Sequence, residues 1–159
     1  MHPDVFQKTI WEEMLYAQMR SNYFAELVRR YMSLDKGLRA LALLASSGVV
    51  VTVISDANGI LRFGVPIFAV AVSFWLLLSQ YTSMARDASE LHAGWSAIAR
   101  DYEALWTNIY AANAQTKYRE IYDRAEPLSI SGSKFPNKKK RLSYWLDQAV
   151  AISMARYAH

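Results

Sequence analysis

Residues 63–85 read FGVPIFAVAVSFWLLLSQYTSMA, which is 23 consecutive positions without a charged side chain. Upstream, residues 40–55 read ALALLASSGVVVTVIS and add 16 more uncharged positions. A bilayer core of about 30 Å needs roughly 20 apolar helical residues, with about 17 tolerated. The second segment meets this length, and the first does so when Leu38 is included and Arg39 extends toward the headgroups. The pattern predicts two membrane-spanning helices.

The short connection between the two segments favours an antiparallel hairpin over residues 37–85. Residues 55–59 read SDANG, and these are typical turn residues. The alternative for residues 40–55 is a buried helix of a soluble core, or a pair of strands in view of the valines. A cleaved signal peptide is not expected, because charged amphipathic sequence precedes the first apolar run.

The distribution of basic residues predicts the orientation of this hairpin. Only Arg62 lies in the turn, and Asp56 offsets its charge. The basic residues near the other ends of the two segments are Arg29, Arg30, Lys36, Arg39 and Arg86. The positive-inside rule therefore places both termini in the cytoplasm, and this topology accounts for the sequence pI of about 9.3.

Composition excludes several classes of protein and of site. The 159 residues contain no cysteine, which excludes a disulfide scaffold, a thiolate zinc site and a cysteine nucleophile. Only 3 histidines are present, and His92 has no second histidine nearby for a metal ion. Residues 132–134 (GSK) lack the remainder of a phosphate-binding loop. We therefore expect no catalytic residue, no metal site, no cofactor and no enzymatic activity.

Two helices with matching apolar spacing flank the hairpin and predict an all-α fold. In the N-terminal cytoplasmic helix (1–36) and the long cytoplasmic helix (86–126), apolar or small residues recur at alternating steps of four and three. The first set is Ile10, Met14, Ala17, Ser21, Phe24, Val28 and Tyr31. The second set, also predicted to serve as a cytoplasmic oligomer seam, is Leu91, Trp95, Ile98, Tyr102, Leu105 and Ile109. The two helices are expected to pack on each other, and Trp106 and Tyr110 widen the second apolar face toward further copies. The alternative is that the aromatic residues form a base-stacking platform or a ligand cage.

Each predicted span has a face that suits helix packing or a pore. The small-residue packing stripe of the first span is Leu41, Ala45, Gly48, Thr52 and Ser55. The candidate pore-lining face of the second span is Ser73, Leu77, Gln80 and Met84. In a monomer the two faces would contact each other, and in an oligomer the second face would line a pore.

Residues 127–159 are predicted to form a linker, a basic run and a C-terminal amphipathic helix. Proline, serine and glycine mark the linker, and the helix is expected from Leu142 to about Tyr157. The basic run is Lys138, Lys139, Lys140 and Arg141. It is a candidate for contact with anionic lipid, for binding a phosphate-bearing messenger or nucleic acid, or for a solvated charge run.

Several local patterns resemble a known family. Residues 23–31 (YFAELVRRY) lead into 34–39 (LDKGLR), and ASSG follows at 45–48. The helix after the hairpin contains LHAGW at 91–95 and DYEALW at 101–106. This layout, over residues 10 to 125, resembles the SLATT family of two-transmembrane effector domains of bacterial defence systems. What the resemblance implies is an all-α protein in which a transmembrane hairpin is continuous with a long-helix cytoplasmic bundle.

The resemblance also implies a function. It suggests a bacterial inner-membrane effector, with both termini cytoplasmic, that forms a pore or disrupts the membrane as a homo-oligomer and halts growth on infection. Its implied partners are other copies of itself, the lipid bilayer, and a sensor protein or nucleotide messenger of the nucleotidyltransferase, SLOG or reverse-transcriptase type. The alternative is a non-conducting membrane anchor or scaffold that recruits a cytoplasmic enzyme. A soluble helical nucleic-acid binder is a third reading, although direct nucleic-acid binding is not expected.

Overall fold

The computed structural model describes residues 3–46, 67, 70–71, 74–75 and 80–157. Its elements are α1 (Pro3–Ser46), α2 (Tyr81–Thr107), α3 (Ala114–Gly132) and α4 (Lys139–Tyr157). No strand occurs in the part of the chain that the structure describes. The prediction of an all-α protein is confirmed.

Contacts divide the chain into two compact units. Unit 1 combines Met1–Leu27 with Asp87–His159, and unit 2 is Val28–Arg86. Unit 1 therefore contains the first part of α1, most of α2, and all of α3 and α4.

The predicted apolar spacing marks the core of unit 1. The seam residues Ile10, Met14 and Phe24 of α1 are at most 1% exposed. Helix α2 lies against this part of α1 and runs antiparallel to it. The direction follows from two contacts, since the Tyr16 and Trp95 rings are 6.1 Å apart and the Ser21 carbonyl oxygen is 2.9 Å from His92 Nδ1. The expected packing of the two helices on each other is confirmed for unit 1.

Helices α3 and α4 complete unit 1. Gly94 allows α3 to approach α2 closely, because a Cβ atom there would lie 2.7 Å from Leu128 Cδ2. Helix α4 packs through its small residues: Ala149 is 1% exposed, and the buried Ser153 donates its hydroxyl to Gln18 Oε1 at 3.2 Å. Small residues at a helix contact let the two backbones approach each other.

The long helix expected over residues 86–126 is in fact two helices, because a turn at residues 108–113 separates α2 from α3. The Thr107 hydroxyl donates to the Ala104 carbonyl oxygen at 2.9 Å, and the Asn108 amide donates to the same oxygen at 3.0 Å. These side chains satisfy a carbonyl at the end of α2 and so offer the backbone an alternative to continued helix.

The linker expected after residue 126 begins later than predicted. Helix α3 continues through Pro127 to Gly132, although a proline inside a helix removes one backbone hydrogen bond. Packing on both sides of Pro127 opposes this loss, since Ile121 is 4% exposed and Leu128 contacts α2 beside Gly94. The final helix agrees with prediction at its end, Tyr157, and begins three residues earlier, at Lys139.

Unit 2 contains a small polar cluster between the second part of α1 and the start of α2. Arg39 Nε pairs with Asp35 Oδ2 at 2.9 Å, and Thr82 donates to Asp35 Oδ1 at 3.2 Å. Nearby, the Tyr31 and Tyr81 rings are stacked with their centroids 6.3 Å apart. These contacts hold the two helical segments side by side within this unit.

The predicted localisation is overturned. None of the helices formed by the described residues is both long enough and apolar enough to cross a bilayer. Helix α1 carries charged residues as far as Arg39 and includes only residues 40–46 of the first apolar segment, while α2 begins at Tyr81, near the end of the second. The placement in the bacterial inner membrane with both termini cytoplasmic is therefore wrong on this finding. Most of the predicted hairpin, including residues 47–66, lies outside the described residues.

Candidate functional site

An aromatic groove of about 570 Å³ lies in unit 1. It lies where the start of α1 meets the ends of α2 and α4. The residues that line this aromatic groove are Asp4, Gln7, Lys8, Trp11, Trp106, Met154 and Tyr157. Its volume falls within the range of about 300–1,000 Å³ for ligand-binding clefts.

Three aromatic rings form the wall of the groove. The ring centroids of Trp11 and Trp106 are 5.1 Å apart at an interplanar angle of 50°. Tyr157 meets Trp11 edge to face at 5.9 Å. All three side chains are only partly buried within the chain, and Met154 beside them is 59% exposed. The groove therefore presents apolar aromatic surface to the surroundings of unit 1.

Glu103 of α2 fixes the C-terminal side of the groove. Its carboxylate pairs with Arg156 and accepts a hydrogen bond from the Tyr157 hydroxyl at 3.1 Å. The hydrogen bond and charge of Glu103 raise the pKa of Arg156. Burial, followed by the hydrogen bond to Glu103, raises the pKa of Tyr157. The shift favours the protonated phenol, which is the form that donates to Glu103.

The chemistry of the groove suits binding. Trp and Tyr are the residues most enriched at the energetic centres of protein interfaces, and the charged side chains here lie at the rim. The opposite charges of Asp4 and Lys8 stand one helical turn apart, and Lys8 Nζ is 3.8 Å from Glu12 Oε1. No cluster of three His, Asp or Glu residues that could hold a metal ion occurs in the described part of the chain.

His92 has a packing contact in this structure. A carbonyl oxygen only accepts hydrogen bonds, so the 2.9 Å contact requires Nδ1 of His92 to donate to the Ser21 carbonyl. Ser21 is 5% exposed, and its hydroxyl oxygen lies 3.1 Å from the same nitrogen. The histidine therefore joins α2 to α1.

The candidate oligomer seam is buried inside a single copy at five of its six positions. Leu91, Trp95, Ile98, Tyr102 and Leu105 are at most 4% exposed. Ile109 lies in the turn after α2 and is half-buried. Self-association stays a prediction, and a surface for it must come from residues beside the seam. Trp106 in the aromatic groove and Tyr110, which is 87% exposed, lie there.

The structure describes only part of the two predicted hairpin faces. Of the pore-lining candidates, Gln80 is exposed immediately before α2, Met84 is exposed on its first turn, and Ser73 and Leu77 lie outside the described residues. Of the packing stripe, Leu41 is exposed on α1 and Ala45 belongs to the same helix. The remaining stripe positions Gly48, Thr52 and Ser55 lie outside the described residues.

The basic run divides into two kinds of residue. Arg141 is largely covered and its Nη1 pairs with Glu26 Oε1 at 3.3 Å. Lys138, Lys139 and Lys140 are exposed at the start of α4. Within the basic run, the three lysines therefore remain the candidates for contact with an external anion.

Two residues of interest were missed by the sequence reasoning. Trp11 lies one position after a seam residue and therefore widens the seam sideways, as Trp106 does on α2. Arg20 follows the seam residue Ala17 by three positions and precedes Phe24 by four, so it shares their side of α1. A charged residue between two core positions is the signal that would have identified it.

Comparison with known proteins assigns this chain to no family. No protein-family model matches the chain, and the curated proteins and the solved structures give no significant match to it.

Proposed function

We propose that this chain is a homo-oligomeric effector of a bacterial antiphage defence system that is switched by a partner sensor. The defence role and the sensor are supported by the resemblance of residues 10–125 to SLATT domains. The assembly surface is supported by the aromatic groove of unit 1. The observation that carries the proposal is the Trp11–Trp106 pair, 5.1 Å apart and only partly covered by its own chain.

A second copy of the chain is the occupant that fits the groove. In a two-fold contact the same patch faces itself, so a contact of one residue with a second residue of the other copy is repeated with the two copies exchanged. The rim carries Asp4 and Lys8 one helical turn apart. Two grooves set face to face would place Asp4 of one copy near Lys8 of the other. Such complementary charges fix the orientation of an interface whose centre is aromatic.

The first experiment measures self-association of the purified full chain by sedimentation velocity over a range of concentrations. We expect Trp106→Ala to weaken association at least about tenfold, as expected for loss of an interface hot spot. The matched control is Tyr110→Ala, because Tyr110 is 87% exposed and lies outside the groove. Equal association of the two variants would contradict the proposal.

A charge swap tests the two-fold geometry without touching the aromatic residues. Lys8→Asp places like charges opposite each other and should weaken association. The double variant with Asp4→Lys and Lys8→Asp restores opposite charges and should recover it. Failure of the double variant to recover association, with its helical content intact, would exclude this arrangement of copies.

The cellular role is tested by phage plating on bacteria that carry the gene with its native neighbours. Trp106→Ala should lose protection and Tyr110→Ala should keep it at equal protein abundance. A dye for membrane potential, added to infected cells, reports whether the effector acts by breaching a membrane. An unchanged potential together with retained protection would favour the second candidate function, a scaffold that recruits a partner enzyme.

The scaffold is favoured by one observation outside the groove. Helix α4 presents Tyr144, which is 55% exposed, and Ile152, which is 53% exposed. Apolar residues on an exposed helix suit a protein partner. A chain that sediments as a monomer at every concentration, and that loses protection on Trp106→Ala, would support the scaffold over the homo-oligomer.

A further inference from the structure

A second, more polar cavity of about 280 Å³ lies in unit 1 where the end of α3 approaches the start of α4. Its polar lining comes from Arg20 and Tyr23 of α1, from Ser129 and Ser133 at the end of α3, and from Asn137 before α4. The aromatic groove shares none of these residues. The polar cavity is therefore a separate candidate site.

Arg20 is the charged group of this cavity. Its guanidinium carbon lies 4.8 Å from the centroid of the Tyr16 ring, and its Nη2 donates to the Tyr16 hydroxyl. Its Nη1 lies 3.8 Å from the place where a Cβ atom of Gly132 would be, so the guanidinium borders the cavity wall. Its Nε is buried without a hydrogen-bond partner, and no carboxylate pairs with Arg20 in the described part of the chain. The guanidinium therefore carries a positive charge without a carboxylate partner among the described residues, and its Nη1 lies at the cavity wall beside Gly132, where an anion would pair with it.

The other polar groups of the cavity leave donors available. The Tyr23 hydroxyl donates to the Pro136 carbonyl oxygen, and the Ser133 hydroxyl donates to that of Ile130 at 2.7 Å. Within the described residues, no side-chain hydrogen bond is made by the Ser129 hydroxyl or by the Asn137 amide. These two groups and Arg20 together supply hydrogen-bond donors, which is the pattern that an oxyanion requires.

The charges around the cavity add to its preference for an anion. Lys138, Lys139 and Lys140 are exposed at the start of α4, and no acidic residue lies in the first turn of that helix. Two neighbouring cations already have carboxylate partners, since Lys134 pairs with Asp87 at 2.6 Å and Arg141 pairs with Glu26. The three lysines leave an excess of positive charge near the cavity, which raises the local concentration of anions.

We propose that this cavity binds the phosphate group of a small phosphate monoester, with Arg20, Ser129 and Asn137 as its ligands. The volume is just below the range of about 300–1,000 Å³ for drug-sized ligands, so the cavity fits a compact metabolite. The bound group joins α1, the end of α3 and the start of α4. This proposal does not depend on the self-association proposed for the aromatic groove.

The test uses inorganic phosphate as the probe and the purified full chain as the protein. Phosphate is titrated at constant ionic strength against sodium chloride. The Arg20 Nε–H resonance in a ¹H–¹⁵N spectrum should shift and saturate, and the melting temperature should rise with phosphate only. A ligand that binds only the folded state stabilises it in proportion to its occupancy.

A matched pair of substitutions separates binding from folding. Asn137→Asp places a negative charge in the cavity and should weaken phosphate binding at least about tenfold. It should not lower the melting temperature without phosphate, because an acidic residue before a helix is favourable. The control is Asn113→Asp, the same change at the exposed residue before α3, and it should bind phosphate like the unchanged chain.

Three results would overturn the proposal. The first is a phosphate effect equal to that of chloride. The second is equal phosphate affinity in the two Asn→Asp variants. The third is a pair of outcomes: a variant with Lys138, Lys139 and Lys140 changed to Gln no longer binds phosphate, whereas Asn137→Asp still binds it. This pair would place the phosphate on the lysines outside the cavity.

Discussion

Trp145 of α4 donates its indole N–H to the carboxylate of Glu26 on α1 across 2.8 Å, although 119 positions separate the two residues in the sequence. The other carboxylate oxygen of Glu26 pairs with Arg141, one helical turn before Trp145. One carboxylate therefore holds two residues of α4 on the first helix. Glu26 and Arg141 are both mostly covered, with 21% and 25% of their side chains exposed, so this contact is less screened by solvent than a surface ion pair.

Trp145→Phe is the first prediction. It removes the indole N–H and keeps an aromatic ring, so it should lower the free energy of unfolding by about 1.5–3 kcal/mol, the contribution of a hydrogen bond to a charged group. Urea unfolding followed by circular dichroism measures the change. The control is Tyr144→Phe, since Tyr144 is 55% exposed, and its effect should stay within about 0.5 kcal/mol. Equal effects of the two variants would show that the Glu26 contact does not stabilise the fold.

Tyr102→Phe is predicted to act in the opposite direction. Tyr102 is 1% exposed, and its hydroxyl oxygen is buried without a hydrogen-bond partner in the described residues. Burial, followed by the charge of Glu13, raises the pKa of Tyr102. Removing a buried hydroxyl that lacks a partner relieves a cost of about 1–3 kcal/mol. We expect a higher free energy of unfolding from urea titrations, and destabilisation by Tyr102→Phe would mean that the hydroxyl has a bound partner such as an ordered water.

The sequence predicts the core of unit 1 well because steps of four and three residues keep side chains on one face of a helix. This rule places Ile98 correctly in the core. It fails at Ile109, because α2 ends before this residue, where the side chains of Thr107 and Asn108 donate hydrogen bonds to a backbone carbonyl. A pattern of apolar residues does not show such hydrogen bonds between side chain and backbone. The aromatic groove joins residues from both ends of the chain, such as Trp11 and Tyr157, and their proximity depends on how the helices pack.

Two isoleucines of the same predicted seam should therefore respond differently to truncation. Ile98 is 3% exposed, whereas Ile109 is half-buried in the turn after α2. Ile98→Ala should cost about 2–4 kcal/mol in unfolding free energy through lost burial and the cavity left behind. Ile109→Ala should cost less than about 1.5 kcal/mol, because its side chain is already partly solvated. Similar costs in urea titrations would place Ile109 in the core and contradict the turn.

Glu13→Gln is predicted to stabilise the protein only near neutral pH. Burial, followed by the charge of Glu12, raises the pKa of Glu13 above its ordinary value of 4.5. The folded state therefore holds the proton of Glu13 more tightly than the unfolded chain does. The stability that this proton contributes is fully present below the pKa of Glu13 in the unfolded chain, and it is lost as the pH rises through the pKa of Glu13 in the folded state. Glutamine resembles the protonated carboxyl, so the two proteins should be equally stable at pH 4.

The pH dependence separates this effect from a general effect of removing a negative charge. At pH 7 Glu13→Gln should be the more stable protein, by less than about 1 kcal/mol because the carboxyl is partly solvated. Urea titrations at the two pH values measure the difference. The control is Glu120→Gln, which removes the same charge from an exposed position of α3 and should change the stability at pH 7 by less than about 0.5 kcal/mol. A stabilisation by Glu13→Gln that is the same at both pH values would mean that the glutamine side chain itself packs better, and that ionisation of Glu13 costs the fold nothing.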